Sequence, residues 1–400
     1  MELTVRQTVL VAILVYFLGK FINRKVAFLR NYNIPEPVTG GIIGSLLFWG
    51  IHAAWGHSVT FNLVPRDILL IVFFTTVGLS ARFHTLKEGG IALVILLIAA
   101  VGYLFLQNFI GVSIARGMGL NGVIGLLGGS IALSGGHGTT IAWAPKLASK
   151  FHLQNVMEVG VACATFGLVL GGLIGGPIAH FLIKRYKLQS AAAHESLTVG
   201  FSYVEEPPKI DVDSILYSIL VIVLAVGLAI QIKPLLLKAG IDLPDFVICL
   251  FSGIILTNIA PLFYSGLNWP VGTPAMALIA DLSLGLFLAM SLMSLQLWTL
   301  LGLAAPIIVI LLTQTVVITL FCVLVVFRLL GKNYDAAVIV SGYAGLALGA
   351  TPTAIANMTA VTERFGPAPK AFIVVPLVGA FFIDIANAGI IELYLRWLGG

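Results

Sequence analysis

Apolar segments about as long as a lipid bilayer is thick recur along the whole 400-residue chain. A spanning helix needs about 20 mainly apolar residues, and only helices and closed barrels satisfy all their backbone hydrogen bonds in hydrocarbon. Charged residues make up only 10% of the chain, whereas soluble domains contain about 25%. The sequence therefore predicts an all-α polytopic membrane protein. We expect ten spans near residues 5–22, 35–55, 66–82, 89–110, 155–183, 214–232, 244–262, 278–298, 302–327 and 371–396.

The cysteine spacing and the charge distribution exclude several classes of protein. The three cysteines lie in apolar segments, with neither the spacing of a disulfide framework nor that of a metal site. The basic residues behind the net charge of +5 lie singly or in short clusters between apolar segments, as in membrane loops and unlike a nucleic-acid-binding face. The sequence has no P-loop, which excludes ATP-driven transport on this chain, and no zinc spacing or nucleophile motif that would favour an enzyme. We therefore expect membrane lipid around the chain, no cofactor and no nucleic acid.

The distribution of Lys and Arg predicts how the chain is oriented. If the N-terminus lies outside, most of the 22 basic residues fall in cytoplasmic loops and the C-terminus also lies outside. Arg116, Lys146 and Lys150 go against this rule. The longest polar stretch, residues 188–212, is predicted to be a cytoplasmic linker between two halves. The basic residues assigned to the cytoplasm are Lys20, Arg24, Lys25, Arg30, Arg82, Lys87, Lys184, Arg185, Lys187, Lys209, Arg328, Lys332, Arg364 and Lys370.

The two halves of the chain resemble each other. IPEPVTGGIIGSLL at 34–47 aligns with LPDFVICLFSGIIL at 243–256, and further along a constant shift of 214 residues holds without gaps. Five spans in each half would insert the second half upside down, and inverted repeats are typical of secondary transporters. We predict two inverted repeats, residues 1–187 and 213–400; the alternative is chance likeness between apolar stretches. The pairs at this shift include Asp67 and Asp281, Phe73 and Phe287, Ser80 and Ser294, Gly135 and Gly349, and Thr139 and Thr353.

Polar residues interrupt two further apolar stretches, 122–148 and 336–359. The interruptions are SGGHGTT, Ser134–Thr140, and GATPTAIAN, Gly349–Asn357, and they fall at corresponding places in the two halves. Glycine turns sharply at little steric cost, and Pro352 interrupts regular helix. Each stretch is therefore predicted to be a helix, a break and a second helix, forming a re-entrant hairpin. Paired breaks of this kind indicate the substrate site of a transporter.

The two breaks are expected to meet near the middle of the membrane if the hairpins enter from opposite sides. Hydroxyls and the free N–H groups of a helix start suit a carboxylate, whereas hydroxyls, amides and backbone carbonyls suit sodium. The alternative is that small residues only let helices pack closely, which we favour for GGLIGG at 171–176. The predicted substrate-binding residues are Ser134, Gly135, Gly136, His137, Gly138, Thr139, Thr140, Thr351, Thr353 and Asp384. The predicted sodium-binding residues are Gly349, Ala350, Asn357, Asn387, Asn108 and Gln314.

Three polar side chains in these apolar segments carry separate expectations. Asp384 and Asn387 are three residues apart, so they share one helical face. A carboxylate is costly in a membrane, so Asp384 is predicted to face an ammonium group or sodium, unless it makes a helix-packing hydrogen bond. His137 has three open roles: binding a carboxylate, relaying a proton or bracing the loop.

Long motifs across residues 5–396 resemble the sodium/glutamate symporter family of bacteria. They include IPEPVTGG, LSGGHGTTIAWAP, ACATFGLVLGGLIGGP, GKNYDAAV, LGATPTAIANM, TERFGP and VVPLVGAFFIDIANA. The resemblance implies an inner-membrane homodimer that imports L-glutamate with sodium, built from inverted repeats with re-entrant hairpins and working by an elevator motion. The family's hairpin motifs fall on Ser134–Thr140 and Gly349–Asn357, and its last-span motif falls on Asp384 and Asn387. GTTIAW and SGYAGLALGATPT depart from the family pattern at single positions.

The predicted function is sodium-coupled uptake of L-glutamate by alternating access, with both termini periplasmic. One alternative is a sodium-coupled carrier of a di- or tricarboxylate without an amino group, such as malate or citrate. An ion channel is a second alternative, although it would need a continuous polar face along several helices. A membrane-embedded enzyme is a third, although it would need paired catalytic groups.

Overall fold

The computed structural model describes residues 2–31, 34–55, 59–81, 86–190, 210–238, 243–263, 273–295 and 303–399. Nearly all of these residues are helical. The helices are α1 Val5–Lys25, α2 Ala27–Asn31, α3 Glu36–Trp55, α4 Val64–Ser80, α5 Leu86–Gly117, α6 Gly122–Leu126, α7 Gly136–Phe151, α8 Val156–Tyr186, α9 Val212–Lys238, α10 Asp245–Phe263, α11 Pro274–Met293, α12 Ala304–Phe321, α13 Phe327–Leu329, α14 Tyr334–Leu348, α15 Thr351–Phe365, α16 Pro369–Leu377 and α17 Ile383–Gly399. Three π-helical segments, Leu127–Ile131, Cys322–Val326 and Val378–Phe382, interrupt this series. Two short strands, β1 Glu2–Leu3 and β2 Thr60–Phe61, pair in parallel.

Seven helices in the described part of the chain are long and apolar enough to cross a membrane. The chain is therefore an all-α, multi-pass membrane protein, as the sequence predicts. These helices are Val5–Lys25, Glu36–Ala54, Gly90–Gly117, Val156–Tyr186, Val212–Lys238, Pro274–Met293 and Ala304–Leu329.

The three other predicted spans have a different local structure. The spans predicted at 66–82 and 244–262 correspond to α4, of 17 residues, and α10, of 19 residues, whose apolar part ends at Pro261. The span predicted at 371–396 is divided into α16 and α17 by the π-helical segment Val378–Phe382. Residues 191–209 of the predicted linker lie outside the described residues, as do Arg82 and Lys209.

The chain forms two compact units, each built from both halves of the sequence. The first unit combines the described residues between 1 and 83 with those between 204 and 298. The second unit combines the described residues between 84 and 203 with those between 299 and 400. The compact units therefore do not coincide with the predicted sequence repeats, residues 1–187 and 213–400. Those repeats stay a prediction.

The first unit packs α3 and α4 against α10 and α11 from the second half of the sequence. Its helices approach closely because small residues lie at the crossings: a Cβ added at Gly78 would overlap the carbonyl oxygen of Leu250. The helix ends are capped, as in α9, where the backbone N–H of Ser214 donates to Asp211 Oδ1 over 2.8 Å. This hydrogen bond holds the pKa of Asp211 below its usual value.

The second unit is organised around α8 and α14. Every residue of α14 except Asp335 is buried, and a helix that is apolar on all sides belongs in a protein interior. Its neighbour α8 is close enough that a Cβ at Gly167 would overlap the carbonyl oxygen of Leu348. Both predicted polar breaks lie in this unit.

Candidate functional site

Each of the two apolar stretches is interrupted where the sequence predicts. In the first, the regular helix ends with the π-helical segment Leu127–Ile131, and α7 starts at Gly136. Gly136 has a φ of 67°, in the left-handed region that side chains disfavour. In the second, α14 ends at Leu348 and α15 starts at Thr351. Pro352 lies in the first turn of α15, where its missing N–H costs no helical hydrogen bond.

The helices on either side of the second break fold back on each other. A Cβ at Gly345 would lie 2.6 Å from Asn357 Nδ2 and 3.1 Å from the backbone nitrogen of Ala354. Asn357 Nδ2 also lies 3.4 Å from the carbonyl oxygen of Ser341. Residues before the break therefore face residues after it in antiparallel order.

Gln107, a buried residue of α5, connects the two breaks. Its Nε2 donates to the carbonyl oxygen of Ala347, just before the second break, over 3.0 Å. Its Oε1 accepts from the hydroxyl of Ser134, in the first break, over 2.7 Å. A Cβ at Gly136 would lie 3.6 Å from the carbonyl oxygen of Gly349. Within the second unit, the structure thus brings together the two polar stretches that the sequence predicts to meet.

Asn108, Ser130 and Asn387 form an oxygen-rich cluster before the first break, which we call the asparagine cluster. Asn108 Oδ1 accepts from the backbone N–H of Ser130 over 2.8 Å. Asn387 Nδ2 donates to the carbonyl oxygen of Ser130 over 3.0 Å. The hydroxyl of Ser130, Asn387 Oδ1 and Asn108 Nδ2 are buried with no hydrogen-bond partner among the described residues. Buried polar groups nearly always have partners, so the partner of these atoms would be a water molecule, an ion or a ligand.

Further unpartnered oxygens lie on elements that flank the breaks. Gln314 Nε2 donates to the carbonyl oxygen of Gln107 over 2.7 Å, while its Oε1 is buried without a partner in the described residues. The hydroxyls of Ser341 and Thr353 are buried and unpartnered in the same sense. Leaving such a group unsatisfied costs about 1–3 kcal/mol, so the second unit carries several uncompensated polar groups close to its breaks.

His137 is buried at the start of α7 and bonded to α8. Its Nε2 lies 3.0 Å from the hydroxyl oxygen of Thr165. That hydroxyl donates its own proton to the carbonyl oxygen of Val161 over 2.9 Å, so it accepts from Nε2–H of the ring. Among the three roles left open by the sequence, this geometry favours a brace that fixes the first break against α8.

Asp384 lies in the first turn of α17 and is partly buried. No basic side chain forms an ion pair with it among the described residues. The π-helical segment that precedes it passes the start of α15, since a Cβ at Gly379 would lie 2.9 Å from Thr351 Oγ1. Asp384 is therefore a carboxylate without a cation on a helix that starts beside the second break.

The remaining predicted site residues are placed less directly. Asn357 donates to the carbonyl oxygen of Gly171 on α8 over 2.9 Å, so its amide nitrogen is used in helix packing. Thr140 donates to the carbonyl oxygen of Gly136 inside its own helix. Thr139 packs against the first break, since a Cβ at Gly135 would lie 2.6 Å from its Cβ. Gly138 and Ala350 lie at the start of α7 and just before α15, respectively.

Sequence reasoning missed four polar residues that take part in these contacts: Gln107, Ser130, Thr165 and Ser341. Gln107 carried a usable signal, because it adjoins Asn108 in an apolar helix, where polar groups are costly. It also missed Glu392, which pairs with Lys146 over 3.5 Å and with Arg396 over 3.6 Å. Lys146, an exception to the charge rule, thus has a partner inside the protein.

Comparisons with known proteins agree on one family. A family profile described as sodium/glutamate symporter matches residues 1–367. The chain is 45% identical over 402 residues to the sodium/glutamate symporter of Escherichia coli K12, covering 97% of this chain and 96% of that protein. It is 41% identical over 391 residues to the sodium/glutamate symporter of Haemophilus influenzae, covering 96% of each. These relatives are named as symporters, not as enzymes.

Proposed function

Because this chain belongs to the sodium/glutamate symporter family, we propose that it carries L-glutamate with sodium across the bacterial inner membrane into the cell. Its apolar helices suit such a membrane, and the symport requires no cofactor because sodium is itself a transported ligand. The observation that carries the proposal is the group of buried, unpartnered oxygens beside the two polar breaks. Helix packing alone does not require such a group, although single unpartnered hydroxyls also occur at Ser252 and Ser291 in the first unit.

Sodium has the chemistry to satisfy the two unpartnered oxygens of the asparagine cluster, but not Asn108 Nδ2, which is a donor. Hard cations take oxygen ligands from hydroxyls, amides and backbone carbonyls. The hydroxyl of Ser130 and Asn387 Oδ1 offer such oxygens on two residues that are joined by the bond from Asn387 Nδ2 to the backbone carbonyl of Ser130. A sodium ion bound there would receive both and remove the cost of leaving them unsatisfied. Gln314 Oε1 is a further candidate ligand, because Gln314 is hydrogen-bonded to Gln107, the residue before Asn108 of the cluster.

Glutamate has two carboxylates and one ammonium group, and the second unit offers partners for both kinds of charge. The starts of α7 and α15 lie at the breaks, and free N–H groups at helix starts hold carboxylates. The hydroxyls of Thr351 and Thr353 would add donors, whereas the hydroxyl of Ser134 already donates to Gln107. Asp384, a carboxylate without a cation among the described residues, would receive the ammonium group.

The first rival carries a dicarboxylate that has no amino group. Such a substrate would place its negative charges near Asp384 and supply no cation to it, and unpaired charges in a membrane protein are costly. A channel would need a continuous polar face along several helices. It is disfavoured because the unpartnered polar atoms in the described part of the second unit are scattered groups on α5, the first π-helical segment, α12, α14, α15 and α17. The site therefore suits an amino-dicarboxylate better than either alternative.

The transport cycle that we propose is alternating access by an elevator motion of a homodimer with periplasmic termini. Inverted repeats are supported by the pair Phe73 and Phe287, predicted to correspond, whose rings lie 5.7 Å apart. Re-entrant hairpins are supported by the antiparallel packing of α14 and α15. Both breaks belong to one compact unit, as a moving transport domain requires. Each sodium ion that enters gains about 2.3 kcal/mol per 100 mV of membrane potential, which would drive uptake.

The test is uptake of radiolabelled L-glutamate into proteoliposomes that contain only this protein. We expect uptake with an inward sodium gradient, no uptake when potassium replaces sodium, and competition by unlabelled glutamate but not by citrate or malate. Competition by citrate or malate with equal strength would favour the non-amino carrier. Uptake indifferent to sodium would contradict symport.

A further inference from the structure

A cavity of about 860 Å³ lies in the second unit between the C-terminal parts of α8 and α15. Its walls are apolar, with Pro177, Phe181 and Val361 among the residues that line them. Gly176 also lines the cavity and directly follows Gly175, the residue that meets Asn357. The cavity is thus apolar inside and borders the packing of the second break.

The rim of this cavity is cationic. Lys184, Arg185 and Arg364 line it with exposed side chains, and no Asp or Glu lines it. None of the three forms an ion pair with another described residue. His180 adds a ring that packs 5.6 Å from Phe365. The rim therefore has unneutralised positive charge.

Hydrogen bonds hold the helix ends around the cavity together. The hydroxyl of Ser190, after α8, donates to the carbonyl oxygen of Pro367, after α15, over 2.6 Å. The hydroxyl of Tyr334 donates to the carbonyl oxygen of Gly366 over 2.5 Å. The cavity is consequently bounded by a fixed pair of helix ends and not by a single loop. The three rim cations are also among the basic residues that the sequence assigns to the cytoplasmic side.

We propose that this cavity binds an anionic phospholipid of the cytoplasmic leaflet. The phosphate would lie on Lys184, Arg185 and Arg364, because basic pockets between helices on this side of a membrane bind acidic head groups. An acyl chain would lie along Phe181 and Val361. A free dicarboxylate or phosphate ion matches the rim alone, since it has no apolar part to cover these walls. An amphipathic anion matches both.

A bound lipid has a consequence for the second break. It would contact α8 and α15 directly beyond Asn357, which connects these helices through its bond to Gly171. Occupancy would therefore stabilise the packing on which the second break depends. The protein is expected to be more heat-stable with anionic lipid than with neutral lipid.

The experiment measures lipid binding and melting temperature on the purified full-length chain in detergent, without any transport assay. The ligands are phosphatidylglycerol, neutral phosphatidylcholine and glycerol 3-phosphate, which has the phosphate of a lipid head group but no acyl chains. The test variant is K184Q/R185Q/R364Q. The matched control, R328Q/K332Q/K370Q, removes the same charge from exposed residues assigned to the same side that do not line the cavity.

We expect phosphatidylglycerol to raise the melting temperature of the wild type and of the control variant. In the test variant we expect its affinity to fall at least about tenfold, since each cation contributes separately to binding anionic lipid. Equal binding by the two triple variants, or equal stabilisation by phosphatidylcholine, would overturn the proposal. Equal stabilisation by glycerol 3-phosphate would show a site for a soluble anion instead. If the test variant does not fold, Arg364→Gln alone and the comparison of the three ligands on the wild type decide the question.

Discussion

Asn387 Nδ2 donates a hydrogen bond to the backbone carbonyl oxygen of Ser130 over 3.0 Å, across 257 residues of sequence. The bond joins α17 to the π-helical segment before the first break. It leaves the hydroxyl of Ser130 and Asn387 Oδ1 buried on contacting residues, with no partner among the described residues. Two segments that are distant in sequence thus present unpartnered oxygen atoms on contacting residues. The assignment of sodium to this cluster rests on these oxygens.

Ser130→Ala tests whether that hydroxyl is a sodium ligand. Removing a buried hydroxyl that has no partner is neutral or stabilising if its role is only structural. If it binds sodium, we expect the sodium concentration for half-maximal uptake to rise about five- to thirtyfold, as for a loss of about 1–2 kcal/mol. The measurement is the sodium dependence of glutamate uptake in proteoliposomes.

The first unit offers controls for this substitution. Ser252 and Ser291 also have buried hydroxyls without a partner in the described residues, and neither adjoins a break. Ser252→Ala and Ser291→Ala are expected to leave the sodium dependence as it is in the wild type. A Ser130→Ala protein with unchanged sodium dependence would remove Ser130 from the site.

Asp384→Asn tests the pairing with the substrate's ammonium group. We expect L-glutamate affinity to fall at least about tenfold, because losing one partner of a charged hydrogen bond in a desolvated site costs about 1.5–3 kcal/mol or more. Glutarate has the two carboxylates of glutamate but no amine. It should compete poorly in the wild type, and the preference for glutamate over glutarate should shrink in the variant.

Glu363→Gln is the control for charge, since Glu363 is exposed on α15 in the same unit. Competition of unlabelled glutamate and of glutarate with labelled glutamate measures the preference between them in the wild type and in each variant. If Asp384→Asn instead shifts the sodium dependence and leaves the glutamate-to-glutarate preference intact, the carboxylate serves sodium and not the amine.

The brace between His137 and Thr165 is tested by removing each partner in turn. Thr165→Val should lower the free energy of unfolding by about 1 kcal/mol, the usual net worth of one such hydrogen bond. His137→Ala should lower it by more, because it also removes a buried ring. The double variant should lose less than the sum, because the two residues act through one contact. Thermal melts and uptake rates of the four proteins provide the comparison. Loss of uptake in His137→Ala with normal uptake in Thr165→Val would assign His137 to the substrate instead.

Local patterns were sufficient to predict the class of fold and the position of the breaks. The breaks are visible in sequence because Gly136 adopts a left-handed φ that other residues disfavour, and Pro352 suits the first turn of a helix. The motifs around Ser134 and Asp384 also identified the family, which the comparisons confirm. These features depend on neighbouring residues only.

The sequence could not predict contacts set by packing. Gln107 joins both breaks because three elements distant in sequence converge on it. The spacing of residues within α5 does not predict these bonds. The π-helical segment before Asp384 was missed because its residues, VGAFF, suit an ordinary apolar helix. The bond from Asn357 Nδ2 to Gly171 was not predictable, because it depends on the packing of α8; the assignment of Asn357 to sodium, which would bind the amide oxygen, stays a prediction.

Gly175→Ala tests how closely α8 must approach the second break. A Cβ at Gly175 would overlap Asn357 Nδ2 and lie 2.7 Å from the carbonyl oxygen of Ser341. Backbone cannot yield as a flexible side chain does, so we expect a loss of about 1–3 kcal/mol of stability from overpacking and a marked fall in uptake.

Gly102→Ala on α5 is the control, because a Cβ there has nothing within 4 Å. Alanine in place of glycine within a helix is otherwise favourable by about 1 kcal/mol, so this control should melt at or above the wild-type temperature. Equal melting temperatures and uptake rates for the two variants would mean that the α8–α15 contact is not needed to hold the second break in place.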